Sequence, residues 1–219
     1  MRLPAILLAV LALPLLGACN QVYSRQPLVS EAHEGGDPEF RPGLWSLSGV
    51  NESCVFDVRK RTRDWPDCAV AIEFRRGQMF LTSGHDRLLA QTQRLVEGSP
   101  ILLQAHWQTA VLADPRAPEP KDTDNPFYGW TYYAITPTRM DGEGHIREAT
   151  VVQALCGPLP TAPLRIGQQP PKVTDKPYAG LQVVRDNCVA KDLDAVKRSL
   201  ALSETLGEPR QLKWVRDDP

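Results

Sequence analysis

The chain has 219 residues, with 25 Lys and Arg against 26 Asp and Glu, giving a formal net charge of −1. The charges are also mixed along the chain, so nothing suggests the basic face that nucleic-acid binding calls for, and no nucleic-acid partner is expected. Twenty prolines and fifteen glycines favour turns and short strands over long helices, and the length suits one domain around one core.

Residues 1–18 carry one Arg, an apolar run from Ala5 to Leu16, and then Gly17-Ala18. This is the composition of a secretory signal peptide. The run is shorter than the ~20 apolar residues a spanning helix needs, and Pro4 and Pro14 interrupt it. Leu16-Gly17-Ala18-Cys19 resembles the lipobox of bacterial lipoproteins. The resemblance implies cleavage before Cys19, a diacylglycerol on its thiol and acylation of the new amine (palmitate or a similar chain). Two or more acyl chains anchor stably, because each buried methylene contributes ~0.8 kcal/mol. An ordinary cleaved signal followed by a chance cysteine is the alternative. In families that sort lipoproteins by the next residue, Asp retains them at the inner membrane. Asn20 therefore implies the outer membrane, facing the periplasm, with the inner membrane as the other location.

From Asn20 to Arg41 the sequence is polar, with Gly35-Gly36 and prolines at 27 and 38, and it has no sustained periodicity. Residues 19–41 are thus expected to be a lipidated flexible tether, and residues 42–219 a single β-rich domain. Short strands are expected over Leu44–Leu47 and Cys54–Val58, followed by a hairpin of Ala69–Phe74 with Met79–Thr82. Leu88–Val96 and Ile101–Trp107 form a second expected hairpin, although the first arm also suits a short helix. Gly129–Thr138 and His145–Leu155 flank Asp141-Gly142-Glu143-Gly144 as a third hairpin. Proline-rich stretches, Asp114–Phe127 and Pro158–Pro177, are expected as loops and as candidate binding rims. One helix is expected over Ala190–Leu206, with Val189, Leu193, Val196, Leu200 and Leu206 largely on one face. Asp192 stands near its start, and Gly207 and Pro209 stop it. Gln211–Val215 is expected to return to the sheet as a strand. The fold class is mainly β: a single antiparallel meander barrel or sandwich with one C-terminal α-helix packed on it.

With Cys19 lipidated, Cys54, Cys68, Cys156 and Cys188 remain, an even number in an oxidising compartment. Of the three possible connectivities, Cys54–Cys68 and Cys156–Cys188 are favoured because each joins one region of chain. No C-x-x-C or neighbouring His pair supports zinc, and neither a metal nor a cofactor is expected. Of the four histidines, His33 sits beside Glu31 and Glu34 in the expected tether, whereas His85, His106 and His145 have no obvious ligand partners. Ser83-Gly84-His85-Asp86 holds the residue types of a nucleophile triad, but these side chains are usually assembled by the fold and not by one tight turn. It reads as a turn. Asp122-Thr123-Asp124-Asn125 offers oxygens for calcium, yet Pro126 follows where further ligands would be needed. Phe127-Tyr128-Gly129-Trp130-Thr131-Tyr132-Tyr133 reads either as a stacking wall or as an aromatic strand with a buried face.

Gly43-Leu44-Trp45 resembles the G-x-W signature of lipocalins, including bacterial outer-membrane lipocalins, and implies a barrel holding an apolar ligand. Gly43-Leu44-Trp45-Ser46-Leu47 followed by Cys54 is also similar to the opening of periplasmic barrel inhibitors of metalloproteases. With an expected anchor and no catalytic constellation in the sequence, the expected role is a non-enzymatic binding or envelope-accessory module held to the membrane through Cys19. Its possible partners are an envelope protein or a small apolar ligand; a carrier and a protease inhibitor are the rival functions.

Overall fold

A computed structural model describes residues 20–30, 38–49, 55–66, 70–75, 78–83, 86–95, 99–108, 129–159, 172–206 and 209–217. The strands are β1 (Val22–Ser24), β2 (Gly43–Gly49), β3 (Val70–Arg75), β4 (Gln78–Ser83), β5 (Asp86–Leu95) and β6 (Ile101–Gln108). They continue with β7 (Trp130–Met140), β8 (Ile146–Gln153), β9 (Leu181–Val184), β10 (Asn187–Ala190) and β11 (Arg210–Arg216). The helix α1 (Leu193–Ser203) lies between β10 and β11. The fold is mainly β, with one helix packed on the sheet, as the sequence leads one to expect.

All eleven strands belong to one sheet in the order β6-β5-β4-β3-β2-β11-β8-β7-β1-β10-β9. As a whole this sheet is not closed, since it runs out at β9. Within it, β6 also pairs with β7, from Ile101 opposite Ile135 to His106 opposite Trp130. Strands β2 to β8 and β11 are therefore linked neighbour to neighbour in an eight-membered antiparallel ring. β7 serves both parts because it is long: Tyr133–Met140 pairs with β8, while Thr131 and Trp130 pair with β1.

Side-chain alternation divides the ring into two faces. Trp45 and Leu47 of β2, Ile72 and Phe74 of β3, Met79 and Leu81 of β4, and Ala90 of β5 point to one core. Ile101, Leu103 and Ala105 of β6, Ile135 of β7, Ala149 of β8 and Leu212 of β11 complete it. The register places these residues opposite one another: Trp45 faces Ile72 on one side and Trp214 on the other, and Ile135 faces Val151. An eight-stranded ring leaves an interior just wide enough to be filled by side chains or to hold one small ligand. Phe40, entering ahead of β2, stacks on Phe74 at 4.2 Å between centroids and meets Trp45 edge-on at 5.6 Å. Gly43 is required where β2 meets the end of β11, because a Cβ there would lie 2.9 Å from the Asp217 backbone.

The opposite parity on β6–β8 builds a second core outside the ring. Leu102, Tyr132, Ala134, Val152 and Ala154 pack against Val22, Leu181, Cys188, Ala195, Val196 and Leu200. α1 begins at Asp192, whose carboxylate accepts the Ala195 N–H at 2.8 Å. Its buried face is Ala195, Val196, Ser199, Leu200 and Ser203, and Leu206, expected on that face, is 46% exposed beyond the helix end. Small residues let the helix approach closely: Ser199 Oγ donates to the Leu155 carbonyl at 2.7 Å, and Ser203 Oγ accepts from the Leu155 N–H at 2.9 Å. Cys156 and Cys188 are joined within this layer, with Cα atoms 5.5 Å apart. The Cys54–Cys68 pairing lies outside the described residues, as do Cys19 and the signal segment.

Two expectations are corrected. The tether expected over residues 19–41 does not describe residues 20–30 and 38–41. β1 pairs in parallel with β10 and antiparallel with β7, and Val22, Tyr23 and Val29 are fully buried. Gln104, itself buried, accepts the N–H groups of Leu28 and Val29 and donates to the Val29 carbonyl. These residues lack a periodic pattern because β1 is only three residues long and buried on both faces. Nor do Val55–Val58 form a strand; Val55 is 88% exposed, and Phe56 leaves the sheet to pack on Trp65 at 4.6 Å. The second hairpin is a true strand pair, so the helical alternative for its first arm does not hold. Among the described residues no helix is long and apolar enough to cross a membrane.

Candidate functional site

Two places combine polar chemistry with a defined position in the fold. The first surrounds Asn20, the residue that follows the expected lipidation site. Its backbone is left-handed, φ 65°, a conformation that Asn tolerates better than most residues. All four of its polar groups are engaged. The N–H donates to the Asp186 carbonyl at 2.5 Å, and the carbonyl accepts from Cys156 N at 2.8 Å. The side-chain Nδ2 donates to the Gly157 carbonyl at 2.8 Å, and Oδ1 accepts from Thr174 N at 3.1 Å. Only a side chain with one donor end and one acceptor end satisfies both partners. Asn20 thus ties together the strand end after β8, the turn at Thr174 and the β9–β10 turn. The sorting inference from Asn20 therefore meets a competing reason for the same residue: the fold itself uses this amide.

The second place is the end of the ring at the β7–β8 hairpin. Asp141 Oδ1 accepts the backbone N–H groups of Glu143 and His145 at 3.0 and 2.9 Å, locking the turn. Its Oδ2 receives the Arg41 guanidinium at 2.9 Å, and Arg41 also reaches Asp217 at 3.1 Å. Burial alone would raise the Asp141 pKa; hydrogen bonds from the His145 backbone, Arg41 and the Glu143 backbone outweigh it and hold the carboxyl below its ordinary value. Arg41 and Arg147 both approach the Trp214 ring, at 4.6 and 4.2 Å from its centroid. The Trp45 and Trp214 indole N–H groups donate to the carbonyls of Arg41 and Pro42. The segment carrying Phe40 is thereby clamped across the ring end.

Asp141, Glu143 and His145 offer ligand atoms within 4.8 Å of one another, and His145 Nδ1 lies 3.6 Å from both carboxylates with no hydrogen-bond partner. The donor set does not fit a metal well. Both Asp141 oxygens are already used, and Arg41 supplies the positive charge that a cation would bring. The cluster is better suited to holding a turn and closing the ring than to catalysis.

The other residues marked in the sequence fall elsewhere. Ser83 pairs with Asp86 across the β4–β5 connection, in keeping with a turn, and the intervening Gly84-His85 lies outside the described residues. His33, Asp122–Asn125, Phe127 and Tyr128 also lie outside them. His106 packs its ring against Trp130 at 4.9 Å, far along the sheet from His145. The aromatic run divides between the two faces of β7: Tyr133 borders the inner core, while Tyr132 is buried in the outer one. Burial pushes the Tyr132 phenol well above its ordinary pKa, despite a short hydrogen bond with Ser24. The residues missed by sequence reasoning are Arg41 and Gln104, and Asn20 was marked only as a sorting position; each acts on chain remote in sequence, so no local pattern showed its structural role.

No protein-family model, curated protein or solved structure matches the chain.

Proposed function

We propose that this is a lipid-anchored, periplasm-facing lipoprotein of the bacterial outer membrane, acting as a non-enzymatic binding or envelope-accessory module. The observation that carries the reading is the inner face of the ring. Residues from all eight strands meet there in one apolar cluster, and Phe40 is laid over its end. Such an interior supports a rigid scaffold that presents its outer surfaces and loops. It counts against a carrier, whose ring would have to keep an apolar chamber open. The anchor rests on the likeness of Leu16–Cys19 to a lipobox, and the disulfide at Cys156–Cys188 suits an oxidising compartment.

The eight-strand ring with a late helix favours one second reading, a lipocalin-like carrier, because the likeness of Gly43-Leu44-Trp45 implies a barrel and Trp45 is buried inside the ring. Native mass spectrometry of the Cys19→Ser protein separates the two. The scaffold reading expects no co-purified apolar ligand and no uptake of added fatty acid or phospholipid. Stoichiometric retention of either would replace it with the carrier. Saturable turnover of an envelope substrate, lost on one polar substitution, would replace both with an enzyme.

A further inference from the structure

We propose that the acylated protein has no leash, and that a fixed face of the domain around Asn20 lies directly on the lipid headgroups. The inference rests on lipidation of Cys19 and extends it to orientation. A tether over residues 20–41 would reach about 75 Å when extended. Instead, Asn20 is 6% exposed and held by four hydrogen bonds, and β1 begins two residues later. Covalent geometry puts the Cys19 Cα ~3.8 Å from that of Asn20. A domain of this size has a radius of gyration of roughly 16 Å, so an offset of one peptide unit leaves no clearance between protein and bilayer.

The surface around the attachment point carries one exposed apolar side chain and a balanced set of charges. Leu159, two residues beyond the Gly157 carbonyl that Asn20 holds, is 47% exposed. Lys176 follows the Thr174 amide that Asn20 accepts, and Arg185 and Asp186 form the turn whose carbonyl accepts the Asn20 N–H. All three are exposed. Asp175 is exposed as well, so the two cations are matched by two carboxylates, and the acyl chains, not net charge, would hold this face at the headgroups. The opposite pole is the β7–β8 hairpin: Gln21 bridges Leu155, and the run back to Ile146 at the other end of β8 covers about 30 Å.

The test uses the mature acylated protein in vesicles of phosphatidylethanolamine and phosphatidylglycerol containing nitroxide-labelled lipid. A genetically encoded fluorophore is placed at Lys176 or at Gly142, where an added side chain meets nothing within 4 Å. Several-fold stronger quenching at residue 176 than at residue 142 is expected. Insertion of about twelve Gly and Ser residues between Cys19 and Asn20, with a mean reach of roughly 19 Å, should remove most of the difference. Equal quenching at both sites in acylated protein without the insert overturns the fixed orientation and leaves the anchor standing. Mass spectrometry that finds no diacylglycerol on Cys19 overturns the anchor itself, and the orientation with it.

Discussion

The core inside the ring and the core outside it are built from the same strands but from different parts of the chain. Inside, seven of the eight contributing strands follow one another in sequence, each pairing with the next, and only β11 arrives from afar. Outside, β1 lies between β7 and β10, pairing Val22 with Cys188, and the helix and disulfide close over it. The inner core is made of local hairpins, whereas the outer one requires the first and last parts of the chain to meet. Loop-closure entropy therefore weighs more heavily on the outer layer. That layer also carries Asn20, so under the proposed lipidation of Cys19 any force through the anchor would enter the less locally supported of the two.

The largest effect is expected inside. Trp45 is fully buried, packs against Phe40 and Phe74, and donates its indole N–H to Arg41. Trp45→Ala should cost about 3–5 kcal/mol through lost contact and an unfilled space, read as a lower denaturant midpoint with every probe moving together. A loss below about 1 kcal/mol would mean that the ring interior is not the cooperative core described.

Next in size is the disulfide. For a sequence separation of 32, the chain-entropy relation gives ~4 kcal/mol. Cys156→Ser with Cys188→Ser should release the outer layer preferentially: amides of β1, β9 and β10 lose hydrogen-exchange protection, while those of β3 and β4 keep theirs. Equal loss in both regions would show that the two cores unfold as one.

What the sequence made legible follows the same division. The three hairpins, β11 and α1 announce themselves through alternation, turn residues and a capped amphipathic stripe, all of which are local. β1, β9 and β10 do not. They are only three or four residues long, and Val22, Tyr23 and Cys188 are buried through contacts more than a hundred residues away. The polar segment from Asn20 onward resembles a leash in composition, but Gln104 satisfies its backbone at Leu28 and Val29 from elsewhere in the fold, and the Asn20 amide in turn binds the backbone of Gly157 and Thr174. At the ring end, Asp141-Gly142-Glu143-Gly144 reads as a turn; its pairing with Arg41 depends on the ring closing.

Asn20 tests that reading at intermediate size. Asn20→Ala removes two side-chain hydrogen bonds and sets an alanine at φ 65°. A loss of about 2 kcal/mol is expected, because the Gly157 carbonyl and the Thr174 N–H are left without their partner. Asn20→Asp keeps the acceptor but turns a carboxylate oxygen toward the Gly157 carbonyl, so it too should destabilise. Relocation of the Asp variant to the inner membrane at unchanged thermal stability would show that sorting, and not the fold, governs this position.

The smallest effect belongs to the ring end and appears as a dependence on pH. The folded-state pKa of Asp141 is depressed, so the folded protein resists protonation where the unfolded chain accepts it. Its contribution is fully present above the ordinary aspartate value of about 3.9 and is lost as pH falls from there through the depressed value. Asp141→Asn keeps an oxygen for the Glu143 and His145 amides but gives up the charge facing Arg41. At neutral pH the variant should be slightly less stable than the parent, since Arg41 is partly solvated and retains Asp217. Below about pH 4 the difference should shrink, as acid removes in the parent what the substitution removed in the variant. A difference that stayed constant from pH 7 to pH 3 would assign Asp141 a role through turn geometry alone. One that vanished with acid while β1 and β10 kept their protection would place the acid-sensitive contact at the ring end and leave the outer layer independent of it.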